Sequence, residues 1–408
     1  MSLCWIPYKE VHFFAQQGSF SYCCKHPDKL FLLKDFKTGK DILINNKLRD
    51  LKTSLYNGEN PSVCNICWLS EKKNNISWRN QEGLVPKKFS NSETLLSENI
   101  YVDHVNLYFD NTCDLACVYC NTNFSSRWSN EIKNNTHLQH LTHIKNESNN
   151  QNTSTDAINK IVNFFEALGN LTLSKFLNIT ILGGEPLLSP QIKNGEFKKF
   201  LLAFYKHAPA DFHCILTIHT NANTPKNVLT RFLGDFNNLK KSYPNLILKV
   251  VLSVDTVGTP SEFIRYGSSW KNVEENINLY FNTVEHIQFY PTFSVLNLYS
   301  FDDYINFLKK IYNTYQRPIN IRSGLVYEPL MLNPYINENK KLNEIIEILD
   351  DAQSIFVKSD YVSIRERLVD IKNNYKIDKK SLDDLKNYFK YINISRHQDY
   401  VKYLGDII

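Results

Sequence analysis

The chain has 408 residues, 42% hydrophobic and 22% charged, the make-up of a water-soluble globular protein longer than one typical domain. Its net charge of +5 has no basic block behind it, so nucleic acid is not indicated as a partner, though nothing bars it. No apolar run approaches the roughly 18 residues that cross a bilayer. The opening Met-Ser-Leu-Cys-Trp has no basic stretch followed by an apolar one, so no secretory signal is expected. Nine cysteines without an export signal point to a reducing, cytoplasmic setting and to metal ligation in place of disulfides.

Eight of those nine cysteines fall in the first 120 residues. Cys4 and Cys23 bracket a hairpin-like stretch with Gly18 at its turn, and Cys64-Asn-Ile-Cys67 is a tight two-residue knuckle. Together they make four ligands, enough for a complete metal site. Spacing alone leaves a structural zinc and an iron–sulfur cluster both open. Cys24 is the alternative to Cys23, because adjacent residues on a strand face opposite ways. We place this segment at residues 1–95, followed by a polar linker from Lys87 to Glu98.

From residue 100 the chain alternates strands and helices. Candidate strands are 105–109, 178–182, 214–219, 246–253, 287–292 and 319–326. Between the first two, Ile158, Ile161, Val162, Phe165 and Leu168 repeat at helical spacing, with Gly169 where a C-terminal cap belongs. The alternation predicts parallel strands with crossover helices. Residues 134–155 are rich in Asn, Ser and Thr and read as an insertion, with His137, His140 and His143 in a solvated loop. The tail from 331 to 408 reads as helical, with its 360–372 stretch solvated and without chemistry.

The first core strand runs into Cys113-Asp-Leu-Ala-Cys117-Val-Tyr-Cys120. Three thiols in one tight loop hold three corners of a four-iron cube and leave the fourth iron open to a small chelating molecule. Tyr119 is an aromatic suited to pack beside an adenine. The second strand runs into Gly183-Gly184-Glu185-Pro186, where two glycines allow close backbone approach. Further on, Ser253 and Asp255 share a strand face and Arg265 follows. Asp255 could equally cap a helix, and Arg265 could equally sit in a surface ion pair. Thr220-Asn221 ends the third strand and Asn297 follows the fifth.

The triplet, followed about sixty residues later by the Gly-Gly-Glu-Pro segment, resembles the radical S-adenosylmethionine (SAM) superfamily over residues 101–327. The segment 1–95 resembles the twitch domain, a shortened SPASM domain, placed here before the core. The resemblance implies an α/β fold: a partial (β/α)6 barrel at 100–330, a small N-terminal domain and a helical extension at 331–408. It implies a 4Fe–4S cluster on Cys113, Cys117 and Cys120, SAM as cofactor, and a second, auxiliary 4Fe–4S cluster on Cys4, Cys23, Cys64 and Cys67. SAM contacts would come from Tyr119, Gly183–Pro186, Thr220, Asn221, Ser253, Asp255, Arg265 and Asn297. Reductive SAM cleavage would need an external one-electron reductant of flavodoxin or ferredoxin type. The radical so formed would take hydrogen from a peptide or protein side chain, or else from a small molecule, sugar or nucleotide. Cys214, outside both sets, reads as core packing more readily than as a hydrogen-atom donor. A non-catalytic electron carrier or scaffold is the contrasting reading. It has no use for a SAM pocket.

Overall fold

A computed structural model describes residues 4, 6–23, 31–72, 77, 79, 100–139, 141, 153–405 and 407. The expected α/β class is the one observed. An eight-stranded sheet runs in the order β3-β2-β1-β4-β5-β6-β7-β8. Its strands are β1 (Glu10–Phe14), β2 (Ser19–Ser21), β3 (Phe31–Leu32), β4 (His104–Tyr108), β5 (Phe176–Leu182), β6 (His213–Thr220), β7 (Leu246–Leu252) and β8 (His286–Phe289). From β1 through β4 to β8 every pairing is parallel.

One face of this sheet is apolar. Val105, Ile179, Leu216 and Leu248 stand in register across four strands, all buried. The crossover helices Thr155–Leu171, Glu196–Tyr205, Lys226–Ser242 and Trp270–Thr283 supply buried side chains to the same core. The other face carries the alternate residues, among them His12, Asn106, Thr180, Thr217 and Lys249 in one row. Period-two alternation therefore separates a packed face from a polar one.

Three local expectations are changed in the structure. The six adjacent parallel strands include β1, which pairs with β4 over five residues. Hence the N-terminal hairpin, turned at Gly18 with φ 58° as expected, belongs to the same sheet as the core. The strand expected at 287–292 stops at Phe289, because Pro291 has no N–H to give a ladder. Thr292–Phe293 (β9) instead pairs with Gly324–Leu325 (β10). The strand expected at 319–326 is reduced to β10 and single bridges at Ile319 and Ile321.

Gly169 does not end its helix, which continues to Leu171. A methyl group there would lie 2.1 Å from the Phe204 carbonyl oxygen, so the glycine serves the approach of helix Glu196–Tyr205. The tail forms helices Leu342–Asp351, Lys358–Asn374, Lys379–Arg396 and Tyr400–Leu404. Its 360–372 stretch is not solvated throughout: Asp360, Ile364, Leu368 and Ile371 are buried. His137 lies in a short turn, whereas Cys24, His140, His143 and the linker from Lys87 to Glu98 fall outside the described residues. Among the described residues no helix is long and apolar enough to cross a membrane.

Candidate functional site

The cysteine triplet lies on the loop that leaves the C-terminal end of β4, between Tyr108 and helix Ser126–Asn134. Many polar backbone groups of this loop are taken. The Ala116 and Val118 N–H groups donate to the Tyr266 and Ile264 carbonyls, both at 2.9 Å. Ser126 Oγ receives the Cys113 N–H at 3.1 Å and donates to the Cys113 carbonyl at 3.2 Å. The Leu115 carbonyl accepts from the Ser125 hydroxyl at 2.6 Å, and the Cys117 carbonyl from Trp128 Nε1 at 2.8 Å. A loop held this way presents its thiols from a fixed frame. Burial raises all three thiol pKa values, to about 11 for Cys117 and about 12 for Cys120. Arg265 Nη1, 4.0 Å from Cys117 Sγ, opposes that rise.

Gly183–Pro186 leaves the end of β5 and passes directly beneath the triplet loop. Gly183 has φ 126°, a conformation open to glycine. A methyl group on Gly184 would sit 2.2 Å from the Thr112 carbonyl oxygen. The Glu185 N–H donates to that same carbonyl at 2.6 Å. The close approach that the glycines permit is thus made, in the protein alone, to the cysteine loop. Glu185 is buried, and its carboxylate accepts from Leu187 N–H at 3.2 Å, Thr220 Oγ1 at 2.9 Å and Asn221 N–H at 2.7 Å. Burial pushes its pKa up to about 7 despite those donors, with Asp114 adding to the rise. Thr220 and Asn221 therefore clamp the Gly-Gly-Glu-Pro segment, and Asn221 Nδ2 also donates to Asp114 at 2.9 Å.

Asp255 is the hub on the other side of the triplet. It caps no helix: helix Gly258–Ile264 begins after Val257. Its carboxylate accepts from Tyr119 Oη at 2.5 Å, Arg265 Nε at 2.8 Å and Thr292 N–H at 2.8 Å. Arg265 is buried in this ion pair, not at the surface, and its guanidinium lies 5.8 Å from the Tyr119 ring centre. Asn297 Nδ2 donates to the Asp255 and Thr292 carbonyls, and Oδ1 accepts from Ser294 N–H and Oγ. Its amide is thereby saturated. Ser253 donates its N–H to the Thr220 carbonyl at 2.8 Å and lies on the polar face, half-buried. The structure thus gathers Tyr119, Asp255, Arg265 and Asn297 on one side of the thiols and Gly183–Pro186, Thr220 and Asn221 on the other. Cys214 faces the helices in the apolar core, away from both.

Some contributors carry no sequence signal of their own. Asp114, between the first two cysteines, ties the loop to Asn221 and, at 2.6 Å, to Asn223. Tyr388 of helix Lys379–Arg396 donates to the Val118 carbonyl at 2.8 Å. Arg396, with its side chain wholly buried, pairs with both oxygens of Glu131 and lies 4.3 Å from the ring centres of Trp128 and of Tyr266. The helical tail therefore fastens the cysteine loop from outside. Ser125, capping helix Ser126–Asn134 through the Trp128 N–H, is the one such residue legible as a helix-start signal.

The second cysteine set gathers as well. Cys4, Cys23, Cys64 and Cys67 line one cavity with Ile6, Val63, Ile66 and Arg79. Cys4 and Cys23 come from either side of the β1–β2 hairpin, and Cys64 and Cys67 from the start of helix Asn65–Lys72. Burial raises the pKa of Cys4 to about 11 and of Cys64 to about 12, while Arg79 pulls both back. Arg79 is itself held by Glu71, 2.6 Å from Nε, and lies 4.1 Å from the Trp68 ring centre. Among the described residues no three Cys, His, Asp or Glu side chains converge tightly enough to hold a single metal ion.

No protein-family model matches the chain, and no curated protein matches it. Similar solved structures include native anSMEcpe with bound AdoMet, at 14% identity over 64% of this chain and 62% of that chain, TM-score 0.42. Native anSMEcpe with bound AdoMet and the Kp18Cys peptide is similar at 13% identity over 62% and 59%, TM-score 0.40. The chain spans about three-fifths of the length of these structures. So partial a likeness assigns no activity.

Proposed function

We propose that the chain is a radical SAM enzyme. The observation that carries the reading is the meeting of Cys113, Cys117 and Cys120 with Gly183–Pro186 at the C-terminal ends of parallel strands, above a polar sheet face. When bound there, a 4Fe–4S cluster and SAM would supply one-electron reductive cleavage of the SAM C5′–S bond, with the electron from an external reductant and methionine as the leaving group, and so a carbon radical able to take hydrogen from a substrate carbon.

The chain's own residues set the frame for that chemistry. Cys113, Cys117 and Cys120 would hold the cluster by three thiolates, and Arg265 beside Cys117 favours the deprotonated form. Tyr119, fixed by Asp255, would lie beside the cluster. The Gly183–Glu185 backbone offers close approach beneath the loop, while the Glu185 carboxylate locks that backbone to β6. Ser253 stands at the end of β7 with its side chain toward the polar face. Cys4, Cys23, Cys64 and Cys67 would hold the auxiliary 4Fe–4S cluster, with Arg79 offsetting its negative charge. That site would accept an electron from the substrate radical, bind substrate directly, or brace the fold. Of the substrates the resemblance implies, a peptide or protein side chain comes first and a small molecule, sugar or nucleotide second. The triplet's geometry does not select between them. A bare electron carrier fits less well, because it gives a polar sheet face beside the cysteines nothing to do.

The test is direct. Anaerobically reconstituted protein should hold about eight irons per chain as two cubanes and release 5′-deoxyadenosine when reduced with SAM. Replacing Cys113, Cys117 and Cys120 together by Ala should abolish that release and keep about half the iron. Continued 5′-deoxyadenosine formation by the triple variant would refute the assignment.

A further inference from the structure

The protein meets the three triplet sulfurs in three different ways. Cys113 Sγ accepts the Leu115 N–H at 3.5 Å, a bond internal to the loop. Cys120 donates its thiol to the Asn121 carbonyl at 3.7 Å, a bond that lasts only while the sulfur keeps its proton. Cys117 Sγ accepts from Arg265 Nη1 at 4.0 Å. Among the described residues Arg265 is the only side chain that donates to a triplet sulfur.

The guanidinium reaches that sulfur with one nitrogen while another holds a carboxylate. Nε donates to Asp255 Oδ2 at 2.8 Å, and Nη1 of the same planar group faces Cys117. Asp255 is kept in place by Tyr119 Oη at 2.5 Å and the Thr292 N–H at 2.8 Å. The two side chains are 9% and 1% exposed, so solvent and salt screen them weakly. Of the pair, the cation is the member that touches the ligand sulfur. Hydrogen bonds to the sulfurs and local positive charge favour the reduced state of an iron–sulfur cluster, because reduction adds negative charge. Asp114 and Glu185 stand on the other side of the loop, and Glu131 pairs with Arg396 behind it. Those charges stay constant when only the Asp255–Arg265 pair is changed.

We propose that Arg265 raises the reduction potential of the triplet cluster through its N–H to Cys117, and that Asp255 limits the rise by holding the guanidinium from its other side. That a cluster sits there at all rests on the function proposed above; the redox role of the ion pair is additional to it.

Redox titration of the anaerobically reconstituted full-length protein without SAM, followed by the paramagnetic signal of reduced cluster, tests it. The signal missing from the triple Ala variant of Cys113, Cys117 and Cys120 belongs to the triplet. Arg265→Gln should lower its midpoint by about 59 mV, a tenfold change in the reduced-to-oxidised ratio for one electron. Asp255→Asn keeps the shape, removes the charge and should raise the midpoint. Opposite shifts from the two halves of one ion pair cannot come from a looser fold. Arg265→Lys should stay closer to the unsubstituted midpoint than Arg265→Gln, since it restores the charge. A midpoint unchanged in either neutral variant, or moved the same way in both, would overturn the role. If Arg265→Gln holds no iron at the triplet, Asp255→Asn decides alone: a raised midpoint supports the role and any other result overturns it. Loss of triplet iron from both would show a purely structural pair and overturn it too. Opposite shifts in protein that makes no 5′-deoxyadenosine keep this inference and lose the radical reaction. 5′-Deoxyadenosine formed with unmoved midpoints loses this inference alone, and no iron at the triplet of the unsubstituted protein loses both.

Discussion

A carboxylate only 1% exposed, as Asp255 is, must have its charge answered inside the protein. Arg265 answers it at 2.8 Å, with Tyr119 and the Thr292 N–H completing the set. Both residues were legible in sequence as a site pattern, but their pairing with each other was not, because ten residues of loop and helix separate them. Removing one partner leaves a buried charge unpaired, so Arg265→Ala should cost about 3–5 kcal/mol of unfolding free energy. Lysine should recover part of that, since it restores charge without the planar fork. Urea denaturation of the cluster-free protein checks this. A loss under about 1 kcal/mol, the worth of an exposed pair, would mean that Asp255 is answered by something other than Arg265.

At the scale of elements, the helical tail is the surprise. Helix Lys379–Arg396 reaches the cysteine loop through Tyr388 and braces helix Ser126–Asn134 through Arg396 and Glu131. Nothing in a sequence read locally reports a contact across 265 residues. Arg396→Met would keep an apolar stem between Trp128 and Tyr266 but leave Glu131, with its side chain 10% exposed, without its cation. The loop should then hold the proposed cluster less firmly in reconstituted protein. We expect a chelator to extract the triplet's iron several-fold faster from this variant, while the iron of the N-terminal set leaves at its usual rate. Equal loss from both sets would show a general weakening, and unchanged loss would show that the brace does not reach the thiols.

Across the whole molecule, the N-terminal segment and the core share one sheet. Val11, Phe13 and Phe20 are wholly buried, and Phe13 meets Phe164 edge to face at 4.8 Å between ring centres. A chain starting at residue 100 would expose the β4 edge along five residue pairs and uncover that apolar surface. Residues 100–408 expressed alone should therefore aggregate or unfold at temperatures the full chain tolerates. A soluble monomer with the full chain's melting temperature would show instead that residues 1–95 are an independent appendage.

The sequence by itself determined the α/β class, four of the parallel strands to within a residue or two, and both cysteine sets, because each is a local matter. Alternation of apolar residues, a glycine at a tight turn, and thiols at fixed spacing all act within a few residues of themselves. Proline at 291 was equally local, and its lost N–H explains why β8 ends early. Only the tertiary structure decided that β1 joins the core sheet, that Asp255 and Arg265 neutralise each other, and that Tyr388 and Arg396 of the tail reach the cysteine loop and its helix. These outcomes depend on which distant segments the apolar face of the sheet and its helices bring together once they bury their common core. Sequence spacing carries no record of that juxtaposition.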